Sequence, residues 1–278
     1  MRNLRTLPFL VLVPLVLALG ACGDDDDSDA TTDDTEAPDS GDEATATAPE
    51  GLVDDSALTV CSDTPYEPFE FEGDDGQQTG YDMELLRAIA QDADLELAVS
   101  DLPFDGILGA LAAGQCDVLA SAVTITDERA QEVDFTDPYF DADQSLLIRA
   151  EDEGTYASLA DLTGQRIAVQ SGTTGETYAN EHLPEGATVV SFEDADGLFG
   201  ALASEDVAAV LQDFPVNAYR ATQDDSFTVT ETFPTGEQYG FAVEKGDTAT
   251  LEFINDGLAT LREDGRFDEI FGTYFGEE

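Results

Sequence analysis

The sequence predicts an α/β protein built from two similar, mostly parallel sheets flanked by helices. Two observations carry this expectation. Short apolar runs alternate with segments of helical period, the grammar of strand–helix–strand units. The same grammar occurs once before residue 130 and again after residue 165.

In the first half, Leu58-Thr59-Val60-Cys61 reads as a short buried strand, followed by a proline-punctuated loop, Thr64-Pro65-Tyr66-Glu67-Pro68-Phe69. Residues 82–92 read as a helix, because Leu85, Leu86 and Ile89 fall on one face while Asp82, Glu84, Arg87 and Asp92 occupy the other. A strand over 95–99, an Ala/Leu helix over 105–113 ended by Gly114, and a strand over 117–122 complete the unit. A further helical stretch starts at Thr126, a suitable N-cap with acids in the first turn. In the second half, strands are expected over 166–170, 188–192 and 208–212, the last ending in Asp213, with helices over 173–182 and 197–203 between them. A return strand over 238–243, a helix over 250–264 with Gly265 near its C-cap, and an amphipathic piece over 267–275 close the chain.

The N-terminal residues supply a basic start at Arg2 and Arg5, an apolar stretch over 7–19, and then Leu19-Gly20-Ala21-Cys22. This is the pattern of a secretory signal over 1–21, shorter than the roughly 20 apolar residues of a membrane span. The small-residue triplet ending in cysteine resembles a lipobox, which makes Cys22 the expected lipid anchor and the only expected link to a membrane. Residues 22–56 are almost wholly Asp, Glu, Thr, Ala, Ser, Gly and Pro. Lacking apolar surface to offset chain entropy, they are expected to form a disordered acidic tether. Its Asp run lacks the ligand spacing of a calcium loop.

Across the chain 62 acidic residues stand against 10 basic ones, a formal net charge of -52. Nucleic acid and anionic membrane surfaces are excluded as partners, since phosphate binding needs clustered Lys and Arg, and Lys245 is the sole lysine. The excess reads as adaptation to a salty, halophilic setting, where a Debye length of about 3 Å at molar salt screens self-repulsion.

In open α/β sheets the ligand crevice lies at the carboxyl ends of the strands. Four segments hold that position: Ser62-Asp63-Thr64-Pro65-Tyr66, the stretch from Ser121 to Arg129, Ser171-Gly172-Thr173-Thr174-Gly175, and Gln212-Asp213. An α-amino acid presents a carboxylate and an ammonium at fixed separation, so its receptor needs a fork-shaped cation, spare N–H groups and an acidic acceptor. Arg129 offers the fork, the helix start at Thr173 and Thr174 the N–H groups, and Asp213 the acceptor. By spacing alone, Arg129 reads more often as a surface helix residue and Asp213 more often as a loop or cap residue. No Ser/His/Asp set, metal cluster or phosphate loop is visible, so no metal, cofactor or enzymatic activity is expected, and His182 reads as a surface residue.

A set of ordered motifs goes further. They are Ser62-Asp63-Thr64-Pro65-Tyr66-Glu67-Pro68-Phe69-Glu70-Phe71, Gly80-Tyr81-Asp82-Met83-Glu84-Leu85, Phe104-Asp105-Gly106-Ile107-Leu108, Thr124-Ile125-Thr126-Asp127-Glu128-Arg129, Val133-Asp134-Phe135-Thr136-Asp137-Pro138-Tyr139, Leu159-Ala160-Asp161-Leu162-Thr163-Gly164 and Gln238-Tyr239-Gly240-Phe241-Ala242-Val243. From about residue 58 to 276 the chain resembles the family 3 extracytoplasmic solute-binding proteins, which include glutamine-, histidine- and lysine/arginine/ornithine-binding proteins. The resemblance implies a two-lobed, type II periplasmic-binding-protein-like fold. Lobe 1 would comprise 57–142 and 238–278, lobe 2 would comprise 143–237, and two hinge strands would run near Asp143 and Gly236.

It also implies roles. Arg129 and Thr174 would hold the ligand carboxylate, Asp213 and the Ala122 carbonyl the ammonium, and Thr124 would add a hydroxyl. Tyr66 and Phe104 would flank the side chain, with Gln170 and Thr173 also in the binding set. Asp63 would either accept a cationic head group or cap the loop after the first strand. The sequence departs from the histidine and basic-amino-acid binders at Gly175, where those carry glutamine, and at Gln170, where several carry an apolar residue. The implied function is the extracytoplasmic, lipid-anchored, monomeric substrate-binding protein of an ABC importer for polar amino acids, with the permease subunits as partners. A cyclohexadienyl dehydratase-like enzyme on the same fold and an amino-acid sensor domain are the rival readings. Outside the cell, a Cys61–Cys116 disulfide is preferred to two buried free thiols.

Overall fold

The computed structural model describes residues 46–276; the expected signal over 1–21, Cys22 and the tether up to residue 45 lie outside them. The remainder of the stretch read as tether is not free chain. Ala48 and Leu52 pack on the hydrophobic core, and the Val53 amide donates to Asp117 Oδ1 at 2.8 Å. Packing therefore begins at Ala48, eight residues before the expected boundary at Ser56. Among the described residues no helix is long and apolar enough to cross a membrane.

In chain order the elements are β1 (Ala57–Ser62), β2 (Phe71–Glu72), β3 (Gln78–Thr79), α1 (Tyr81–Asp92), β4 (Glu96–Asp101), α2 (Ile107–Ala112), β5 (Val118–Leu119), β6 (Val133–Phe135), β7 (Phe140–Arg149), β8 (Arg166–Gln170), α3 (Thr174–His182), β9 (Thr188–Phe192), α4 (Ala195–Ala203), β10 (Ala209–Asp213), α5 (Phe214–Gln223), β11 (Phe227–Tyr239), β12 (Ala242–Glu244), α6 (Thr248–Asp264) and α7 (Arg266–Phe275). They form two five-stranded sheets, ordered β4-β1-β5-β12-β6 and β11-β7-β10-β8-β9, and a small β2–β3 hairpin. In the first sheet β1 lies parallel to β4 and β5 while β12 runs antiparallel to both its neighbours. In the second, β8, β9 and β10 are mutually parallel and β7 is the reversed strand. Each sheet thus has four strands in one sense and one reversed, which is the expected mostly parallel class.

Several boundaries move for identifiable reasons. The helix expected over 105–113 is reduced to α2, because Gly106 takes a left-handed φ of 98° at its N-cap. The strand expected over 117–122 pairs only at Val118–Leu119 before the chain turns away, with Ala122 at φ 47°. After Thr126 there is one 3-10 turn, Arg129–Gln131, rather than a helix, although the Arg129 amide does donate to Thr126 Oγ1 at 3.1 Å. The return strand expected over 238–243 is the end of β11 and the start of β12, separated at Gly240 and Phe241.

The strands β7 and β11 carry the chain from one sheet to the other and pair antiparallel from Arg149–Phe227 to Phe140–Tyr239. Their register shifts between Phe233 and Glu237, where Gly236 adopts φ 67° and donates its amide to Asp143 Oδ1 at 3.1 Å. The foot of this ribbon is seated in aromatic packing. Phe140 stacks on Tyr239 with centroids 5.7 Å apart and meets Phe69 and Phe275 at 5.0 and 4.9 Å, contacts that add to burial by about 0.5–1.5 kcal/mol per pair. Gly80 lets α1 start there, since a Cβ would lie 2.2 Å from the Phe69 carbonyl oxygen. A Cys61–Cys116 disulfide ties β1 to the segment entering β5.

Candidate functional site

All ten residues singled out from the sequence, Asp63, Tyr66, Phe104, Ala122, Thr124, Arg129, Gln170, Thr173, Thr174 and Asp213, line one cleft together with Ser121. Topology accounts for the convergence. Asp63 follows β1, Ala122 and Thr124 follow β5, Gln170 ends β8 and Asp213 ends β10, so carboxyl ends from both sheets open on the same space.

Arg129 is 9% exposed, and no other Lys or Arg is buried among the described residues. Its guanidinium donates to the Thr124 carbonyl at 2.9 Å and, across the cleft, to the Gly172 carbonyl at 3.1 Å, and it lies 5.2 Å from the Phe104 ring. It has no carboxylate within ion-pair distance, unlike Arg87, Arg149, Arg220, Arg266 and Lys245. Burial presses its pKa down, and the fields of Asp213 and Glu237 act against that. Chemically it is a desolvated, rigid fork with capacity left for an anion.

Asp213, also buried, accepts from Tyr66 Oη at 2.8 Å, Tyr239 Oη at 2.5 Å and Gln144 Nε2 at 2.5 Å. Burial, and then the charge of Glu237, raise its pKa to about 6 against the pull of those three donors. Asp63 accepts from Gln170 Nε2 at 2.5 Å, and burial likewise raises it to about 6. It therefore faces the second sheet rather than only capping its own loop. Thr173 caps α3 by accepting from the Glu176 amide, leaving Thr174 as the first helical residue beside Arg129. Gly175 is explained by space, since a Cβ there would lie 2.9 Å from Gln144 Oε1 and 3.3 Å from the Leu211 carbonyl oxygen. His182 is exposed and stacks on Tyr178.

As the lobes stand, the room left between side chains is about 10 Å³, inside a cleft of about 290 Å³ counting its mouth. That holds roughly one water. The Tyr66 to Asp213 and Gln170 to Asp63 bonds join the opposite walls of the cleft.

Sequence reasoning missed Glu237, Gln144 and Tyr239. Glu237 accepts from Thr124 Oγ1 at 2.9 Å and Thr174 Oγ1 at 2.7 Å, and Gln144 Nε2 reaches it at 3.3 Å. All three lie on β7 or β11, so only the pairing of those strands brings them to the cleft; the available signal was Gly236, which marks the bulge beside Glu237. Among the described residues no group of three or more His, Cys, Asp or Glu is arranged to hold a metal.

Comparison with known proteins agrees with this geometry. Residues 58–277 match the family model described as bacterial extracellular solute-binding proteins, family 3. A probable histidine-binding protein of Neisseria gonorrhoeae is 32% identical over 226 residues, covering 79% of this chain and 83% of its own. An ancestral arginine-binding protein solved with glutamine bound superposes with a TM-score of 0.75 at 36% identity, covering 80% of this chain and 99% of its own. An ancestral amino acid-binding protein described as a precursor of cyclohexadienyl dehydratase gives 0.74 at 36%, covering 79% and 96%. These relatives are described as binders of amino acids, the dehydratase precursor included, and their fold is the type II two-lobed one. With a family match over most of its folded length and the site residues gathered at the ends of both sheets, this chain belongs to the family 3 bacterial extracellular solute-binding proteins.

Proposed function

We propose that the chain is the extracytoplasmic substrate-capturing lipoprotein of an ABC importer, closing its lobes on one free polar amino acid, with basic ones preferred. The observation that carries this reading is Arg129, a buried cation without an ion-pair partner that already touches both sides of the cleft. A buried charge is costly unless compensated, and an α-carboxylate supplies the compensation with bidentate geometry. Thr174 assists Arg129, Asp213 and the Ala122 carbonyl receive the ammonium, and Thr124 adds a hydroxyl. Tyr66 and Phe104 wall the side chain. Asp63, held by Gln170, accepts a cationic head group.

Closure follows from the same groups. The ligand's two charged ends meet residues from both sheets, and only the closed state satisfies them together. Residues 57–142 with 238–278 form one lobe and 143–237 the other, turning about β7 and β11. Cys22 is the lipid anchor, the protein works as a monomer, the permease receives the ligand, and the acidic surface suits a salty exterior. The dehydratase reading is set aside because the relative on that lineage is itself described as amino acid-binding. Titration calorimetry with the common amino acids tests the reading. Saturable one-to-one binding of arginine, lysine, histidine or glutamine is expected, and binding of none of the twenty would refute it.

A further inference from the structure

Behind the cleft lies a second constellation, which meets the lining of the site at the Ser121 hydroxyl and the Ala122 amide. Glu70 and Asp82 are both 0% exposed. Glu70 Oε1 accepts from Ser121 Oγ at 3.1 Å, and that hydroxyl in turn accepts from the Asp63 amide at 3.0 Å. Asp82 Oδ2 accepts from the Ala122 amide at 3.0 Å and from Tyr139 Oη at 2.7 Å. The two carboxyl groups thus grip consecutive residues, Ser121 and Ala122, from below. Their other oxygens, Glu70 Oε2 and Asp82 Oδ1, are buried without any partner.

No Lys, Arg or His side chain among the described residues bonds to either group. The other titratable groups around them are Asp63 and Asp213, whose charges reach Glu70, and the phenols of Tyr66, Tyr81 and Tyr139. Arg262 acts on Tyr81 but bonds to neither carboxyl. Two ionised carboxylates buried with no cation would repel in a medium of low dielectric. One proton taken up by the pair removes one of the two charges and turns an orphan acceptor into a donor. Burial also pushes Asp82 up to about 7, and burial with the Asp82 charge pushes Glu70 well up.

The turn they hold is not relaxed. Ala122 sits at φ 47°, a left-handed conformation that a residue with a Cβ adopts only against steric cost. We propose that Glu70 and Asp82 share one proton and act together as positioning residues, clamping the Ser121–Ala122 turn so that the Ala122 carbonyl and the Asp63 side chain are held out to the ligand. This rests on the amino-acid-binding reading for its purpose, but the shared proton stands on the packing alone.

Two measurements need no ligand and use the isosteric double variant Glu70→Gln/Asp82→Asn. At pH 8 the infrared spectrum of the wild type should contain a protonated-carboxyl band that the double variant lacks. The Ala122 amide resonance should move with pH between 6 and 10 in the wild type and stay fixed in the double variant. An absent band, or one undiminished in the variant, or an Ala122 amide that ignores pH in the wild type, would overturn the shared proton.

The third measurement is L-arginine titration at pH 7. Asp82→Ala, which removes the acceptor for the Ala122 amide, should bind more than tenfold more weakly, and Asp82→Asn should recover at least half of that loss on a logarithmic scale. Wild-type affinity in Asp82→Ala, or no recovery in Asp82→Asn, would overturn the positioning role. Should Asp82→Ala not fold, the infrared and amide readouts decide. A wild type that binds no amino acid would sink the proposed function and leave those two readouts to judge the clamp.

Discussion

Replacing Arg129 by alanine separates two roles of one side chain. In the free protein its guanidinium gives hydrogen bonds to the Thr124 and Gly172 carbonyls, each worth about 1.5–3 kcal/mol for a charged donor. Against this stands the desolvation of a buried cation with no carboxylate partner, a penalty of several kcal/mol. The terms oppose each other, so stability should change by no more than about 2 kcal/mol. In the complex the balance differs, because the ligand carboxylate would lose its cation inside a closed, water-poor cleft. Truncating one member of such a pair costs about 2–5 kcal/mol, and at 1.4 kcal/mol per tenfold this is roughly 30- to 4,000-fold in Kd. Titration of L-arginine, L-histidine and L-glutamine into both proteins, with urea unfolding of each, measures the two roles. Binding within tenfold of wild type would show that the carboxylate sits elsewhere. A stability loss above about 4 kcal/mol would make Arg129 chiefly a structural residue.

Asp63→Asn should weaken L-arginine by about 1.5–3 kcal/mol while leaving L-glutamine within threefold; unaltered arginine affinity would remove Asp63 from the ligand. With Asp213 and Asp63 both near pKa 6, moving from pH 8 to pH 5 should weaken glutamine about tenfold and arginine up to about a hundredfold, since at pH 5 roughly one molecule in eleven has a given carboxylate ionised. Stability of the free protein runs the other way: both folded pKa values lie above the ordinary carboxyl value, so this contribution is full below about pH 4 and is lost as pH rises through 6. Calorimetry and melting curves across that range should show the opposed slopes, and a pH-independent affinity would refute the assignment. Replacing Cys61 and Cys116 by alanine frees a crosslink spanning 55 residues and should cost about 4 kcal/mol on a chain-entropy estimate, read as a fall in urea midpoint; an unchanged midpoint would show the bond to be unformed or dispensable. Melting temperature should climb with KCl toward molar concentration, because -52 formal charges repel at low ionic strength, and a flat profile would refute the salt adaptation.

What the sequence disclosed follows the length scale of the physics involved. The strands β8 and β9 were legible to the residue because each is a compact run of Val, Ile, Ala and Phe between polar loops. Arg129, Thr174 and Asp213 were legible because each follows such a strand. The helix α5 was hidden by starting at Phe214-Pro215, directly after the strand it leaves, with no intervening loop. The residue pattern showed only the last two residues of β11, because Pro234-Thr235-Gly236 reads as a turn and is instead a bulge inside a continuous ribbon, and the hinge strands near Asp143 and Gly236 came from the family resemblance alone. Everything that depends on that ribbon was therefore out of reach, including Gln144, Tyr239 and Glu237 at the cleft. Asp82 was read on the polar face of a helix and Glu70 was given no role, since no local pattern announces the burial of either carboxyl.

The pairing of β7 with β11 has a mechanical meaning. Two independent strands between two bodies would allow twist, shear and bending alike. Two strands laced together by ladder hydrogen bonds behave as a thin leaf spring, stiff within its plane and compliant only across it. The ladder is interrupted twice, between Val229 and Glu231 and again between Phe233 and Glu237, and the second interruption thins that spring beside the cleft. In the proposed closure about β7 and β11 such a ribbon would leave one soft swinging coordinate, so a captured molecule would have one motion to arrest rather than six.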